Sequence, residues 1–237
     1  MMKIEVWSDI MCPFCYIGKL HYEQALSRFP DAGAVSLEWK SFQLDPTLSK
    51  QPTYTDTYHY LSVRKGIAPA QANEMMANIV QAGEAVGITF RFDQAIIANT
   101  FDAHRLLQFA KTRQLDAALH TLLFRAHFSE GKNIGDNETL IALACQAGLD
   151  AGDARGVLQS NLYADAVTND IREARQIGVQ GVPFFVFNRK YAISGAQPPN
   201  VFLQTLEKSF SEWRRDHPAP KLDIQQGPSC GPDGTCQ

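Results

Sequence analysis

Residues 4–20 read IEVWSDIMCPFCYIGKL, and this stretch decides the fold because it joins two different hydrophobic patterns. Its first five residues alternate apolar and polar side chains, which is typical of a short β-strand. From Cys15 onward apolar residues recur at helix-like intervals, until the breaker sequence PDAG at 30–33. The motif Cys12-Pro13-Phe14-Cys15 therefore lies where a strand is predicted to lead into a helix.

A second alternating run follows the first helix and contains Val35, Leu37 and Trp39. Asp45-Pro46 ends this run with a turn signal. A strand, a helix and a second strand in this order predict a βαβ unit whose two strands pair in parallel.

The middle of the chain, from about Tyr54 to Gly178, shows helical spacing and no convincing strand. It is predicted to be a block of helices in which Gly87, Gly148 and Gly178 are stop signals. The predicted helices cover residues 69–86, 100–111, 116–128, 138–147 and 164–177.

The sequence GVPFFVF at 181–187 is typical of a strand buried on both faces, with Pro183 tolerated near its start. Residues 188–190 suit a hairpin turn, and Tyr191 to Ser194 form the predicted returning strand. A last helix is predicted to run to about Arg215. The order of elements is thus β-α-β, several helices, then β-β-α.

Composition limits the classes of function. The chain has 237 residues, 45% hydrophobic content and a formal net charge of -3, with no basic block, so a nucleic-acid partner is not expected. Neither a membrane span nor an export signal is recognised, so the expected location is cytoplasmic. Five cysteines are too few for a disulfide scaffold in a chain of this length. The cysteines therefore favour transient redox chemistry over permanent cross-links.

Placement at the start of a helix gives the cysteine motif its chemistry. Unpaired backbone N–H groups and the positive end of the helix dipole favour the thiolate form of Cys12. Cys15 follows within one helical turn, close enough to form a disulfide and to release a substrate captured by Cys12. Pro13 fits the first helical position because its missing N–H is not needed there.

The same pair has two simpler interpretations. CxxC can be half of a zinc site, but the remaining ligands would have to come from Cys230 and Cys236, whose spacing does not match. The two cysteines can also be small buried hydrophobic residues without chemistry. The strand-to-helix setting favours the redox interpretation, and no bound metal is expected.

The chain resembles the DsbA-like branch of the thioredoxin superfamily, and within it the FrnE-like thiol oxidoreductases. The resemblance implies a thioredoxin-like α/β fold with a large all-helical insertion between the second and third core strands. It also implies a thiol-disulfide oxidoreductase or isomerase acting on protein or peptide thiols and disulfides, renewed by a cellular reductant or oxidant. No cofactor is expected apart from the cysteine pair, with glutathione as a candidate co-substrate. The segments that carry the resemblance are WSDIMCPFCYIGK (7–19), SFQLDP (41–46), NTFDAHRL (99–106), LFRAHFSEGKNIGD (123–136), IGVQGVPFFVF (177–187) and ISGAQP (193–198).

The chain then divides into residues 1–48 and 161–216 as the two parts of the core, 49–160 as the helical insertion, and 217–237 as an extended tail. By resemblance, Val182-Pro183 is a cis peptide facing Cys12. The Val182 backbone is then expected to pair with a substrate strand.

Several other residues are candidates for accessory roles. His104 lies in the insertion and is a candidate to influence Cys12 or a substrate, although a lone histidine is more often a packing residue. Trp7 and Phe14 flank the cysteine pair as a candidate apolar rim, but core packing explains Trp7 equally well. Met75-Met76 is interpreted as helix packing, and Cys145 as an inert buried thiol.

Two further cysteines, Cys230 and Cys236, lie in the tail, where glycine and proline permit a small closed loop. They are predicted to form a secondary redox pair that exchanges with Cys12-Cys15 or guards it.

Two rival functions remain open. One is a glutathione-dependent isomerase or transferase of the hydroxychromene-carboxylate isomerase or kappa-class type, whose members share the core and the insertion. Those proteins usually carry serine where this chain has Cys12 and tend to lack the second cysteine, so disulfide exchange is favoured. The other rival is a redox-inert binding module that uses the same fold.

Overall fold

The computed structural model describes residues 1–218 and 227–228. The four strands of this part are β1 (Met2–Ser8), β2 (Val35–Ser41), β3 (Phe184–Phe187) and β4 (Tyr191–Ser194). Its α-helices are α1 (Pro13–Leu26), α2 (Thr57–Lys65), α3 (Pro69–Glu84), α4 (Phe101–Thr112), α5 (Asp116–Phe128), α6 (Asn137–Gln146), α7 (Ala151–Gln159), α8 (Ala164–Gln176) and α9 (Pro199–Asp216).

The strands form one mixed sheet in the order β2-β1-β3-β4. β1 and β2 pair in parallel, with Met2 opposite Val35, which confirms the predicted βαβ unit. β3 pairs antiparallel with β1 and with β4. Asn188 and Arg189 both have positive φ, as the two central residues of a type I′ turn require, and with Lys190 they form the three-residue loop between Phe187 and Tyr191. The α/β fold with an all-helical insertion between the second and third strands is confirmed.

One hydrophobic core lies between the sheet and the helices α1 and α9. Phe185 and Phe187 of the central strand β3 are fully buried there, as is Phe202 of α9. The rings of Phe185 and Phe202 meet edge to face at 4.8 Å between centroids. Each such ring contributes about 1.5–3 kcal/mol by its burial. This core fixes α1 against the sheet and so fixes where the helix begins.

A second core fills the helical insertion and reaches the first turn of α1. Tyr16 stacks on Phe124 of α5 with 5.0 Å between ring centroids and 9° between ring planes. Aromatic pairs of this kind add about 0.5–1.5 kcal/mol beyond area burial. The insertion is therefore packed directly against the helix that carries the cysteine motif.

The predicted helices are present, and α5 has the predicted bounds. Gly87, Gly148 and Gly178 end helices in the left-handed conformation, with φ of 81°, 99° and 81°. The two nine-residue helices α2 and α7 were not predicted. Each begins at an aspartate whose side chain accepts backbone N–H groups, Asp56 for α2 and Asp150 for α7. Within the described part of the chain, every helix is too short or too polar to cross a membrane.

Candidate active site

Cys12 is the N-cap of α1, immediately after the turn that leaves β1. Its backbone N–H donates to the carbonyl oxygen of Asp9 at 3.0 Å, and its carbonyl accepts the N–H of Cys15, also at 3.0 Å. Pro13 is the first helical residue, as predicted from its missing donor. Both thiols are free, with 5% of Cys12 and 1% of Cys15 exposed. The local hydrogen bonds hold the two cysteines on the same first turn of the helix.

The loop before β3 meets Cys12 directly. Val182-Pro183 is a cis peptide, as the resemblance implies. The thiol of Cys12 donates to the carbonyl oxygen of Val182, with 3.4 Å from sulfur to oxygen. Gly18 of α1 permits this approach, because a Cβ at that position would lie 3.0 Å from Cγ of Pro183. The fold thus brings Cys12 and Val182, which are 170 positions apart in the sequence, into direct contact.

The two thiols have different environments. Burial raises the pKa of the Cys15 thiol well above its ordinary value, and the adjacent Cys12 sulfur raises it further. The neighbouring Ser8 hydroxyl and the Asp9 backbone lower the same pKa but do not offset burial. Cys15 is therefore a neutral thiol near pH 7, which is unsuited to a first attack on a disulfide.

The predicted rim of Trp7 and Phe14 is half wrong. Trp7 is 0% exposed, and its indole N–H donates to the backbone oxygen of Asp170 at 2.9 Å, so it is a core residue and cannot contact a substrate. Its strand position turns the side chain onto the face covered by α8. Phe14 is 45% exposed and lies beside Cys12. Of the two candidates, only Phe14 is placed to form a rim.

His104 is 1% exposed, so a direct contact with a substrate is excluded. Its Nε2 lies 3.3 Å from Oδ1 of Asp9, whose Oδ2 accepts the backbone N–H of Leu44 at 2.8 Å. Asp9 also accepts the Cys12 N–H through its backbone oxygen. His104 can therefore affect the cysteine motif only through the loop that Asp9 anchors.

The other cysteines differ from expectation or lie elsewhere. Cys145 of α6 is exposed, so the prediction of a buried thiol was wrong. Cys230 and Cys236 lie outside the described residues. Within residues 1–218 and 227–228, no cluster of three or more His, Cys, Asp or Glu side chains is arranged to hold a metal ion.

A cavity of about 290 Å³ opens beside Cys12 between α1 and the helical insertion. We call it the Cys12 cavity. Met75 and Met76, interpreted above as packing residues, both line it, with Met76 also part of the core. Its further lining residues are Met11, Pro13, Phe14, Leu44, Thr57, Tyr60, Leu61, Lys65, Ile79, Phe92, Ile97, His127 and Phe128.

His127 is the functional candidate that sequence reasoning missed. It is 1% exposed, lines the Cys12 cavity, and its Nδ1 has no hydrogen-bond partner among the described residues. Burial lowers the pKa of His127 to about 4, and the Asp9 carboxylate offsets only part of this effect. The imidazole is therefore neutral near pH 7. His127 lies in the segment LFRAHF (123–128), but the helical spacing of that segment does not show which cavity the side chain faces.

This pKa predicts a loss of stability in acid. Unfolded His127 takes up a proton near pH 6.5, whereas the folded protein resists protonation until about pH 4. The free energy of unfolding therefore falls as pH drops through this window. Between pH 7 and pH 5, this difference in the pKa of His127 should lower the free energy of unfolding by about 2 kcal/mol. The fall in the free energy of unfolding between the two pH values is measured by urea unfolding. In both His127→Phe and His127→Gln it should be smaller than in the wild type by this amount. An unaltered pH dependence in both variants would show that His127 is not held neutral by burial.

The comparisons with known proteins agree with this geometry. The family model described as the DSBA-like thioredoxin domain matches residues 3–207. A probable DsbA oxidoreductase from Streptomyces coelicolor is 40% identical, with a TM-score of 0.83 over 100% of this chain and 99% of that chain. The uncharacterized Bacillus subtilis protein YwbO is 28% identical over 89% of this chain and 96% of its own length. The cytosolic disulfide reductase DsbM from Pseudomonas aeruginosa is 18% identical and shares the fold, with a TM-score of 0.63 over 89% of this chain and 99% of that one.

A strand that leads into a CxxC helix, a cis-proline loop facing the first cysteine and a helical insertion occur here together. With a family match that spans most of the sequence, they lead to one conclusion: the chain belongs to the DSBA-like thioredoxin domain family and has the fold of its thiol-disulfide oxidoreductases.

Proposed function

We propose that the protein is a thiol-disulfide oxidoreductase that acts on protein or peptide disulfides through Cys12 and Cys15. The observation that carries the proposal is the unequal pair of free thiols on one helical turn. Cys12 stands at the helix N-terminus and opens onto the cavity, while Cys15 is more deeply buried and kept neutral. Such a pair separates the attacking thiol from the resolving thiol.

In the reductive direction, the Cys12 thiolate attacks one sulfur of the substrate disulfide. A Cys12-substrate disulfide forms, and the other substrate sulfur leaves as a thiolate that takes a proton from water. Cys15 then attacks the Cys12 sulfur, and its proton passes to the second substrate sulfur, which leaves as a thiol. Two electrons have passed to the substrate, and Cys12 and Cys15 are left as a disulfide that an external dithiol reduces again.

The loop at Val182 supplies orientation in this proposal. Its carbonyl oxygen accepts the Cys12 thiol in the free protein, and that bond is lost when Cys12 ionises. The released carbonyl can accept a backbone N–H of an extended substrate segment. The bound segment then holds its disulfide next to the Cys12 sulfur, where the reaction becomes effectively intramolecular.

The proposal is tested by insulin reduction in the presence of dithiothreitol, followed as precipitation of the released B chain. The purified protein should shorten the lag time at catalytic concentrations. A parallel assay with glutathione and a chromene or haloarene substrate tests the rival isomerase or transferase activity. Acceleration only in the second assay, or in neither, would contradict disulfide exchange as the function.

A further inference from the structure

We propose that the Cys12 cavity binds a tyrosine side chain next to the reacting cysteine of the substrate, with the His127 imidazole paired to its hydroxyl group. The inference rests on the proposed disulfide exchange and names a substrate class for that same site. It assigns His127 the role of a specificity-determining residue.

Size and lining indicate an aromatic side chain. The cavity volume of about 290 Å³ is just below the roughly 300–1,000 Å³ of sites for drug-sized molecules, so a single large side chain suits it. Phe92 and Phe128 contribute rings that cross at 81° with 6.0 Å between centroids. Met75 and Met76 add thioethers, which make favourable contacts with aromatic rings. A flat apolar ring fits these walls better than an aliphatic chain.

His127 favours a substrate side chain that carries a hydrogen-bonding group. A buried polar atom without a partner is costly, and Nδ1 of His127 lacks one in the free protein. A phenol hydroxyl can both donate and accept a hydrogen bond. It therefore pairs with the neutral imidazole in either tautomer. A phenylalanine in the same place would fill the cavity but give the imidazole no hydrogen bond.

Charged side chains are disfavoured in this cavity. Lys65, the one cationic side chain among the described lining residues, lies 3.5 Å from the Asp45 carboxylate, which also accepts from Arg64 and from the Tyr60 hydroxyl. The hydrogen bond from Arg64 holds the pKa of Asp45 well below its ordinary value, so the carboxylate stays ionised beside Lys65. A glutamate or lysine of the substrate would lose hydration among apolar walls without an unpaired opposite charge to meet it.

The mouth of the cavity explains why the tyrosine should neighbour the cysteine. Cys12, Phe14 and Leu44 all line the cavity, and the last two are 45% and 41% exposed. Consecutive residues of a substrate are only about 3.8 Å apart at their Cα atoms. A residue flanking the cysteine bonded to Cys12 is therefore the one that enters.

The test uses symmetric disulfides of the capped peptides Xaa-Cys-Xaa, with Xaa as Tyr, Phe, Ala or Glu. Each kcat/KM is divided by the rate of uncatalysed reduction by dithiothreitol. We expect this corrected kcat/KM to be about tenfold higher for the Tyr peptide than for the Phe peptide, because one added neutral hydrogen bond contributes about that factor. Phe should exceed Ala by a further tenfold or so, through ring burial. Glu should rank no higher than Ala.

Variants at two matched histidines assign the effect to His127. His120 lies two turns earlier on α5, is equally buried and has an unpartnered Nδ1, but stacks on Trp39 away from the Cys12 cavity. His127→Phe should bring the Tyr/Phe ratio to about 1, and His127→Gln should restore part of it. His120→Phe should keep the wild-type ratio. A wild-type Tyr/Phe ratio near 1, or an equal loss in His120→Phe, would overturn the inference.

A binding measurement separates this inference from the proposed function and does not depend on the variants folding. Binding of p-cresol and toluene to the reduced wild-type protein is measured by ligand-observed NMR. We expect p-cresol to bind about tenfold more tightly. If none of the peptides is reduced, the proposed function fails, and tighter p-cresol binding still supports the cavity assignment. Equal or absent binding of the two probes overturns that assignment.

Discussion

Cys12→Ser should lower disulfide reductase activity by at least about 10⁴-fold, because the substitution removes the attacking sulfur from the reaction. A serine hydroxyl is not ionised near neutral pH and does not form the mixed disulfide on which exchange depends. The substitution replaces one small side chain by another at a site only 5% exposed, so the fold should survive. The loss should therefore appear in kcat/KM while the circular dichroism spectrum stays unchanged.

Cys145→Ser is the matched control for this result. Cys145 is a free thiol on the surface of α6, so its replacement tests whether any accessible cysteine supports turnover. We expect this variant to keep wild-type kcat/KM. If insulin reduction persisted in Cys12→Ser and fell in Cys145→Ser, the attacking thiol would lie on α6 and our proposal would be wrong.

Local sequence patterns were sufficient for much of the fold. The strand at residues 4–8 and the helix after Cys12 depend on neighbours close in sequence, which periodicity records directly. The same holds for α5, whose bounds match the prediction, and for the β3-β4 hairpin. The short helices α2 and α7 were missed because each has only nine residues, which is too few for a long apolar repeat, and the aspartate cap that begins each helix was not recognised.

Burial was harder to predict than secondary structure. Trp7 and Phe14 are both apolar neighbours of the motif, yet one is fully buried and the other is exposed. Cys145 belongs to an apolar stretch, but its own side chain faces solvent. In each case the outcome depends on which distant element covers that face, and a local pattern does not contain this information.

The Cys12 cavity is the clearest example of a long-range feature. Its walls come from α1, α2, α3 and α5 and from the loop that contains Phe92. His127 becomes a candidate only when its missing partner and its position in this cavity are seen together. Helical spacing predicts that residue 127 lies on an inward face of α5, but not that Cys12 lies across the same cavity.

Cys15→Ser should arrest the reaction halfway and convert the protein into a covalent trap. Cys12 keeps its position at the N-terminus of α1 and can still form the mixed disulfide with a substrate. Without the thiol of Cys15, only slow attack by an outside thiol releases that substrate. We expect multiple-turnover activity to fall by roughly 10²-fold or more while a one-to-one adduct accumulates, since intramolecular attack carries a large effective concentration.

The adduct is located by non-reducing mass spectrometry after trypsin digestion. The cleavage sites Lys3 and Lys19 release peptide 4–19, in which Cys12 is the only cysteine once Cys15 is replaced. The substrate mass should appear on this peptide, and dithiothreitol should remove it. An adduct confined to Cys145 or to the tail cysteines would exclude Cys12 as the attacking residue. If Cys15→Ser instead turned over as fast as the wild type, the resolving step would have to come from another thiol. The raised pKa of Cys15 would then reflect its burial in the core without a role in catalysis.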